Sequence, residues 1–155
     1  MPSCATSRLI QLPDLAATHA LAARLARLLR PGDAILLEGP YGAGKTEFAR
    51  ALLRAATGDP ALEVPSPSFT LVQEYDTRLG PVYHFDLWRL AGPESLAELG
   101  WDDARDAIAL VEWPERLGYL RPDDALTLAL EEGDTPDARR ATLIWNDKRL
   151  DAIAV

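Results

Sequence analysis

The sequence predicts an α/β domain in which a mixed parallel and antiparallel sheet is flanked by helices. Two stretches, AILLEG at residues 34–39 and AIALVEW at 107–113, are continuous apolar runs bounded by turn residues. Such runs are typical of strands buried on both faces of a sheet. Two further pairs of short strands lie so close in sequence that each pair is expected to be antiparallel. The chain has 155 residues, and we assign residues 1–155 to a single domain.

The first half of the chain alternates strands and helices. Residues 7–12, SRLIQL, predict a short strand, after which a Pro-Asp pair opens a helix and a Pro-Gly pair ends it. Residues 45–57, KTEFARALLRAAT, predict a second helix that follows the 34–39 strand, with Gly58 placed to cap its end. The apolar positions of the first helix recur at helical spacing: Leu21, Leu25, Leu28 and Leu29.

The second half of the chain is predicted to consist mainly of strands. Prolines forbid a helix before Phe69, and residues 69–75 then have the aromatic and β-branched content of a strand. Residues 82–88, VYHFDLW, follow after the turn DTRLGP and predict the partner strand of a hairpin. The remaining predicted elements are a short helix at 93–99 and a C-terminal hairpin formed by 125–130 and 141–145.

The stretch GPYGAGKT has the spacing of a phosphate-binding loop, with Gly39, Gly44, Lys45 and Thr46 at the defining positions. Glycines let the backbone N–H groups of residues 41–45 point at phosphate oxygens, and the helix that begins there adds the positive end of its dipole. We expect Lys45 to reach the β- and γ-phosphates and the Thr46 hydroxyl to hold Mg²⁺. A strand before the loop and a helix after it predict a P-loop NTPase-like, three-layer fold.

Two acidic residues at strand ends are candidates for the chemistry of such a site. Glu112 ends the apolar run AIALVE, and Asp86 ends VYHFD. A nucleotide-hydrolysing site needs an acid here to hold the magnesium shell or to orient water, although a solvated charge at a strand end is the alternative for each. His84 shares a strand face with Asp86, but a packing role fits a lone histidine as well. Trp113 fits a core or interface position.

The segment SPSFT places three hydroxyl groups, on Ser66, Ser68 and Thr70, in a loop that prolines stiffen. Loops of this kind in phosphate-loop proteins sense the γ-phosphate and become ordered around it. Composition alone is equally compatible with an ordinary connecting loop.

Charge and composition constrain the binding partners and the cellular location of the protein. The chain has 24 acidic and 16 basic residues and a net charge of -8, which repels nucleic acid at long range. If RNA is involved, we expect another subunit to hold it. The chain's one cysteine, Cys4, cannot form an internal disulfide and is assigned no role. No apolar run has the length of a membrane span and no signal peptide is evident, so we expect a cytoplasmic location.

Four segments taken together, GPYGAGKT, VPSPSFTLVQEY, VYHFDLWRL and LVEWPERL, resemble the TsaE family of bacterial P-loop ATPases, also called the YjeE or YdiB family. The resemblance covers about residues 8–118, and the last three segments are its specific part. It implies a compact α/β fold with a mixed sheet and a Mg²⁺-dependent ATPase. It also implies partners, TsaD and TsaB, with which the family makes threonylcarbamoyladenosine on tRNA next to the anticodon. The resemblance implies that the protein contacts tRNA only indirectly, through that complex.

The same resemblance assigns roles to individual positions. It implies Mg²⁺ binding by Thr46 and Glu112, and a role in hydrolysis for Asp86. It implies a switch-like segment containing Ser66, Ser68 and Thr70, and it matches Trp113 to the family's tryptophan. Ser68 stands where threonine is usual, and Trp88 where tyrosine is usual. The positions implied to contact ATP are Leu15, Gly39, Tyr41, Gly42, Ala43, Gly44, Lys45 and Thr46.

Other functions remain open on the sequence. A small-molecule kinase would close an arginine-bearing lid, for which Arg139 and Arg140 are the adjacent pair. A regulatory module could bind nucleotide without productive hydrolysis. The isolated chain is expected to hydrolyse ATP weakly, because only Arg78 and Arg89 suggest themselves as arginine fingers in cis.

Overall fold

The computed structural model describes residues 5–154, and Cys4 lies outside them. The described residues form a seven-stranded sheet with the strand order β1-β7-β6-β2-β5-β4-β3. Its strands are β1 (Thr6–Leu12), β2 (Ala34–Glu38), β3 (Val72–Thr77), β4 (Gly80–Asp86), β5 (Ile108–Glu112), β6 (Leu126–Glu132) and β7 (Arg139–Trp145).

The sheet mixes both strand directions. The four central strands, β6, β2, β5 and β4, are parallel. β3 pairs antiparallel with β4, and β7 pairs antiparallel with both β6 and β1. Both predicted hairpins are therefore confirmed. Because β2 is flanked by β6 and β5, the loop that leaves its carboxyl end emerges at the centre of the sheet.

Helices cover both faces of the sheet, as predicted. The α-helices are α1 (Leu15–Leu28), α2 (Lys45–Thr57) and α3 (Trp101–Asp106), and 3₁₀ segments span Pro93–Leu99, Pro114–Leu120 and Lys148–Ala154. α1 and α2 pack against one face, and α3 with the first two 3₁₀ segments packs against the other. Within residues 5–154, no helix combines the length and apolarity that a membrane span requires.

Each central strand contributes to two cores because its side chains alternate between the faces. On β2, Ile35 and Leu37 pack in the core beneath α1 and α2, where Phe48 of α2 is fully buried. Leu36 points the other way and packs with Phe85 of β4. This burial on both faces explains why β2 and β5 are apolar throughout rather than alternating.

The structure corrects several predicted boundaries. β3 begins at Val72 rather than Phe69, because Leu71 takes a left-handed φ of 69° and its N–H bonds to the Pro67 carbonyl, which holds the preceding segment as a turn. The hairpin turn shrinks to residues 78–79. β4 ends at Asp86 rather than residue 88, since the Trp88 N–H turns back to the Asp86 carboxylate.

Other elements differ in kind or extent. The helix at 93–99 is of the 3₁₀ type, and α3 was not predicted. In the C-terminal hairpin, β6 runs on to Glu132 and β7 already begins at Arg139, so the strands are longer than their apolar cores.

Candidate functional site

The glycine-rich loop leaves β2 at the carboxyl edge of the parallel strands, and α2 begins directly after it. Gly39 has a φ of +143°, and a Cβ there would lie 2.5 Å from the Leu130 carbonyl oxygen of β6. Gly42, with a φ of +83°, would meet no atom within 4 Å. Only glycine fits the first position, where the backbone approaches a neighbouring strand, whereas the second borders open space.

The N-terminus of α2 is left open. Its N-cap residue, Gly44, has a left-handed φ of 100° and makes no side-chain capping bond. Phe48 donates an intrahelical bond to the Gly44 carbonyl at 2.9 Å, so the N–H groups of residues 45–47 precede it in the first turn. These N–H groups and the positive end of the dipole of a 13-residue helix favour an anion at this point.

Lys45 is held at the floor of this opening. Its Nζ donates to the Gly39 carbonyl at 2.6 Å and lies 3.3 Å from the centroid of the Trp113 ring. Burial lowers the pKa of Lys45, while the carboxylates of Glu112, Glu115 and Asp86 act in the opposite direction. A buried ammonium group that is held by one carbonyl and a ring is ready to exchange these contacts for an anionic ligand.

Glu112 connects α2 with the end of β5. Its Oε1 accepts from the Thr46 hydroxyl at 2.9 Å, and its Oε2 lies 2.7 Å from His84 Nε2. Both Glu112 and His84 are buried, with 2% and 0% exposure. Glu112 is therefore not the solvated strand-end charge that the sequence left open.

Asp86 lies beside Glu112, because the two residues are paired in the parallel register of β4 and β5. Its Oδ2 accepts from the hydroxyls of Ser66 and Ser68 at 3.2 and 3.4 Å. The segment between α2 and β3 thus meets the strand-end acid through two of its three predicted hydroxyls. Thr70 is exposed, and its hydroxyl instead accepts from Gln73 Nε2 at 3.1 Å.

These side chains surround a cleft of about 410 Å³, which we call the central cleft. Trp88 and Trp113 pack against each other at its side, with ring centroids 4.5 Å apart and a tilt of 47° between the rings, and Tyr41 lines it with 94% exposure. The lining residues are Tyr41, Gly42, Gly44, Lys45, Thr46, Glu47, Ser66, Ser68, Asp86, Trp88, Glu112 and Trp113.

Some predicted site residues lie outside this lining. Gly39 and Ala43 form the back of the loop, where Gly39 offers its carbonyl to Lys45 and Ala43 is fully buried. His84 lies behind Glu112. Leu15, the first residue of α1, is 42% exposed and, like Thr70, is not part of the described lining. A nucleotide contact at Leu15 stays a prediction.

Arg139, considered above only as part of a kinase lid, proves to support the loop from behind. Its Nε donates to the Ala43 carbonyl at 2.9 Å, and its Nη1 donates to the Pro136 and Ala138 carbonyls at 2.8 and 2.7 Å. No local pattern signals this contact, because 96 residues separate the donor from the loop.

The two arginines suggested as fingers make contacts outside the described lining of the central cleft. Arg78 lies against Gly58 at the far end of α2, a helix about 20 Å long. Arg89 stacks on the exposed Phe69 ring, 4.7 Å from its centroid. Among the described residues that line the central cleft, none is an arginine.

The oxygen donors of the cleft fit Mg²⁺ in the company of a phosphate. Among residues 5–154, no three His, Cys, Asp or Glu side chains gather into a metal-binding group, so the protein alone offers no complete cage. Mg²⁺ at nucleotide sites takes only one or two carboxylates and completes its shell with phosphate and water. The Thr46 hydroxyl and the carboxylates of Glu112 and Asp86 match this hard-oxygen set.

Comparisons with known proteins point to one family. Residues 12–141 match the family model described as threonylcarbamoyl adenosine biosynthesis protein TsaE. The chain is 37% identical over 132 residues to a protein of that name from Rickettsia conorii, covering 84% of this chain and 74% of the relative. It is 44% identical over 116 residues to the one from Synechocystis, covering 70% and 71%. The crystal structure of Bacillus subtilis YdiB superposes with a TM-score of 0.75 at 25% identity, covering 99% of this chain and 95% of that one.

Proposed function

This chain belongs to the TsaE family of threonylcarbamoyl adenosine biosynthesis proteins, and from that premise we propose that it is the Mg²⁺-dependent ATPase of the process. The family places the protein in tRNA threonylcarbamoyladenosine biosynthesis. In the proposal, ATP binding and hydrolysis drive the catalytic cycle of two partner proteins, TsaD and TsaB, in the cytoplasm. The protein itself transfers no group to tRNA.

One observation carries the proposal: the uncapped start of α2 lies next to Lys45 and to the hydrogen-bonded pair of Thr46 and Glu112. An unsatisfied helix terminus, a buried cation and a hydroxyl–carboxylate pair together suit the phosphates of a nucleotide and its magnesium ion. The open space beside Gly42 leaves room for the phosphates to approach the loop.

Each residue has a role in the proposed site. The N–H groups of the loop and of α2 bind phosphate oxygens, and Lys45 exchanges the Gly39 carbonyl for the β- and γ-phosphates. Thr46 and Glu112 would hold Mg²⁺, whose positive charge would offset the negative charge of the phosphates. Asp86, oriented by the hydroxyls of Ser66 and Ser68, accepts a hydrogen bond from the attacking water at Oδ2.

The positions of the arginines support weak hydrolysis by the isolated chain. An arginine finger accelerates such reactions by roughly 10³ to 10⁵, and the described lining of the cleft contains no arginine. We propose that binding of TsaD and TsaB completes the site. The partners also bring the tRNA, because a chain with a net charge of -8 does not attract nucleic acid by itself.

The kinase hypothesis gains no support from the hairpin. Arg139 is committed to three backbone carbonyls, and Arg140 pairs with the exposed Asp134, so neither is poised as a lid over phosphates. ATP rather than GTP is proposed because the family that the chain resembles consists of ATPases; the Asn-Lys-x-Asp signature of GTPases is also absent, residues 146–148 being Asn-Asp-Lys.

Phosphate release from Mg–ATP tests the proposal. We expect slow release by the chain alone and faster release with TsaB, TsaD and tRNA, both abolished in Lys45→Ala. Lys148→Ala is the matched control, because Lys148 is the only other lysine and is exposed. Absence of stimulation would contradict the proposal, and phosphorylation of an added acceptor would favour a kinase. If Glu112→Gln abolished hydrolysis but preserved tRNA modification, the regulatory-module hypothesis would be favoured.

A further inference from the structure

The side chain of Glu112 is held from two sides. Thr46 donates to Oε1 at 2.9 Å from the start of α2, while His84 Nε2 lies 2.7 Å from Oε2. The two contacts lie in different surroundings. Thr46 borders the central cleft, whereas His84 is fully buried in β4 and does not touch the cleft.

The chemistry of the Glu112–His84 pair shows which imidazole nitrogen carries the hydrogen. A carboxylate only accepts hydrogen bonds, so the ring nitrogen that faces Glu112, Nε2, must be the donor. The other ring nitrogen, Nδ1, is buried and has no hydrogen-bond partner in the described part of the chain. Within the described residues, the imidazole of His84 therefore makes one hydrogen bond, and that bond goes to Glu112.

We propose that His84 is a positioning residue that locks the Glu112 carboxylate, so that Oε1 stays directed at Thr46 and at the cleft. This inference rests on the proposed function, since it concerns the carboxylate that would hold Mg²⁺. Groups that hydrogen-bond to a metal-ligating carboxylate fix its orientation, and their loss typically weakens metal affinity or activity by about 10-fold to 100-fold. If His84 only filled space in the core, loss of its hydrogen bond to Glu112 would leave the Mg²⁺ dependence of nucleotide binding unchanged.

Two amide substitutions separate these roles. In His84→Gln the amide nitrogen reaches about as far along the side chain as Nε2, so it can still donate to Glu112. In His84→Asn the amide reaches only the position of Nδ1, where no described group accepts it. Both variants place a neutral amide in the same buried site, so the first serves as the control for the second.

The readout is binding of a fluorescent ATP analogue as a function of Mg²⁺ concentration, followed by ATP hydrolysis. For His84→Asn we expect the Mg²⁺ concentration at half-saturation to rise about 10-fold or more. His84→Gln is expected to stay close to the unaltered protein, and analogue binding in EDTA should be the same in all three. Equal Mg²⁺ dependence in both variants and the unaltered chain would overturn the inference while leaving the proposed function intact. If the unaltered chain bound no Mg–ATP, the proposed function would fail and this inference with it.

A measurement on the unaltered protein covers the case in which His84→Asn does not fold. Two-bond ¹H–¹⁵N spectra of histidine-labelled protein report which ring nitrogen carries the hydrogen. The chain has only two histidines, and His19→Gln identifies the second signal. We expect the Nε2–H form for His84, and a spectrum of the Nδ1–H form would overturn the inference.

Discussion

Two helices that pack side by side, α1 and α2, begin in opposite ways. The N-cap of α1 is Asp14, whose side chain accepts from the Ala17 N–H at 2.8 Å. The N-cap of α2 is Gly44, in a left-handed conformation and without a capping side chain. Because glycine in place of aspartate at an N-cap costs only about a few tenths of a kcal/mol, the chain forgoes little stability at the open start of α2. The difference separates a helix end that serves the fold from one that, in the proposed function, receives the phosphates of a nucleotide.

The open start depends first on Gly39, which lets the loop pass close to β6. In Gly39→Ala the new Cβ would lie 2.5 Å from the Leu130 carbonyl oxygen, at a φ of +143°. We expect the free energy of unfolding to fall by about 3 kcal/mol or more, because the contact is with backbone and cannot relax cheaply. Urea unfolding measures it.

Gly42→Ala is the matched control within the same loop. No atom lies within 4 Å of its Cβ position, so only the left-handed φ of +83° opposes the substitution, at a cost of about 1 to 2 kcal/mol. ATP binding should nevertheless weaken in this variant, because the added methyl enters the cleft lining. Equal stability losses at the two glycines would mean that the approach to β6 is unimportant.

The next effect in size concerns Arg139, which supports the loop from the C-terminal hairpin. In Arg139→Ala the carbonyl of Ala43 loses its guanidinium donor, and we expect a loss of about 2 kcal/mol in unfolding free energy and weaker ATP binding. The neighbouring Arg140 forms an ion pair with a 92% exposed Asp134, so Arg140→Ala should cost about 0.5 kcal/mol and leave ATP binding unchanged. Urea unfolding and nucleotide titration of both variants provide the test, and a similar phenotype for the two would contradict the supporting role.

The glycine-rich loop could be predicted from the sequence, whereas the contact of Arg139 with that loop could not. The loop, α2 and the strand-end acids follow from local signals: glycine spacing, helical periodicity and apolar runs that end in a carboxylate. The parallel register that puts Asp86 beside Glu112 completes what those signals imply. Arg139 meets Ala43 only through the order of strands in the sheet, which no short pattern encodes.

Boundaries were mispredicted where backbone geometry overrides composition. Phe69 and Thr70 have strand-forming side chains, yet the left-handed Leu71 and its bond to Pro67 keep them in a turn. The acidic stretch that forms α3 is a single short helix of six residues, too brief for a clear periodicity. Thr70 accordingly lies outside the described cleft lining, while Ser66 and Ser68 reach Asp86.

The closed start of α1 predicts a smaller and purely structural effect. Asp14→Ala removes the capping bond to Ala17 and should lower the free energy of unfolding by about 1 kcal/mol. Asp14→Asn keeps an acceptor and should retain most of that stability. Nucleotide affinity in both variants should equal that of the unaltered chain, because no residue of α1 is part of the described cleft lining. An altered affinity would show that the start of α1 contributes to the site, as a nucleotide contact at Leu15 would require.

The smallest effect concerns the contact that joins the two starts. His19 of α1 lies 2.9 Å from Glu47 in the first turn of α2, and this hydrogen bond is the main reason that the pKa of Glu47 is lowered, with burial opposing it and Arg50 assisting. A carboxyl group whose pKa is lower in the folded state stabilises the fold above its unfolded pKa, 4.5 here, and loses that contribution as the pH falls through its folded pKa. Glu47→Gln should therefore cost about 0.5 kcal/mol at pH 7 and progressively less as the pH falls from 4.5 towards 3. Urea unfolding at pH 7 and at pH 3 measures this cost, and Glu63→Gln, at an exposed position, is the control for the loss of one charge. If Glu47→Gln lowered the free energy of unfolding equally at low pH, Glu47 would stabilise the contact between α1 and α2 by packing rather than by its charge.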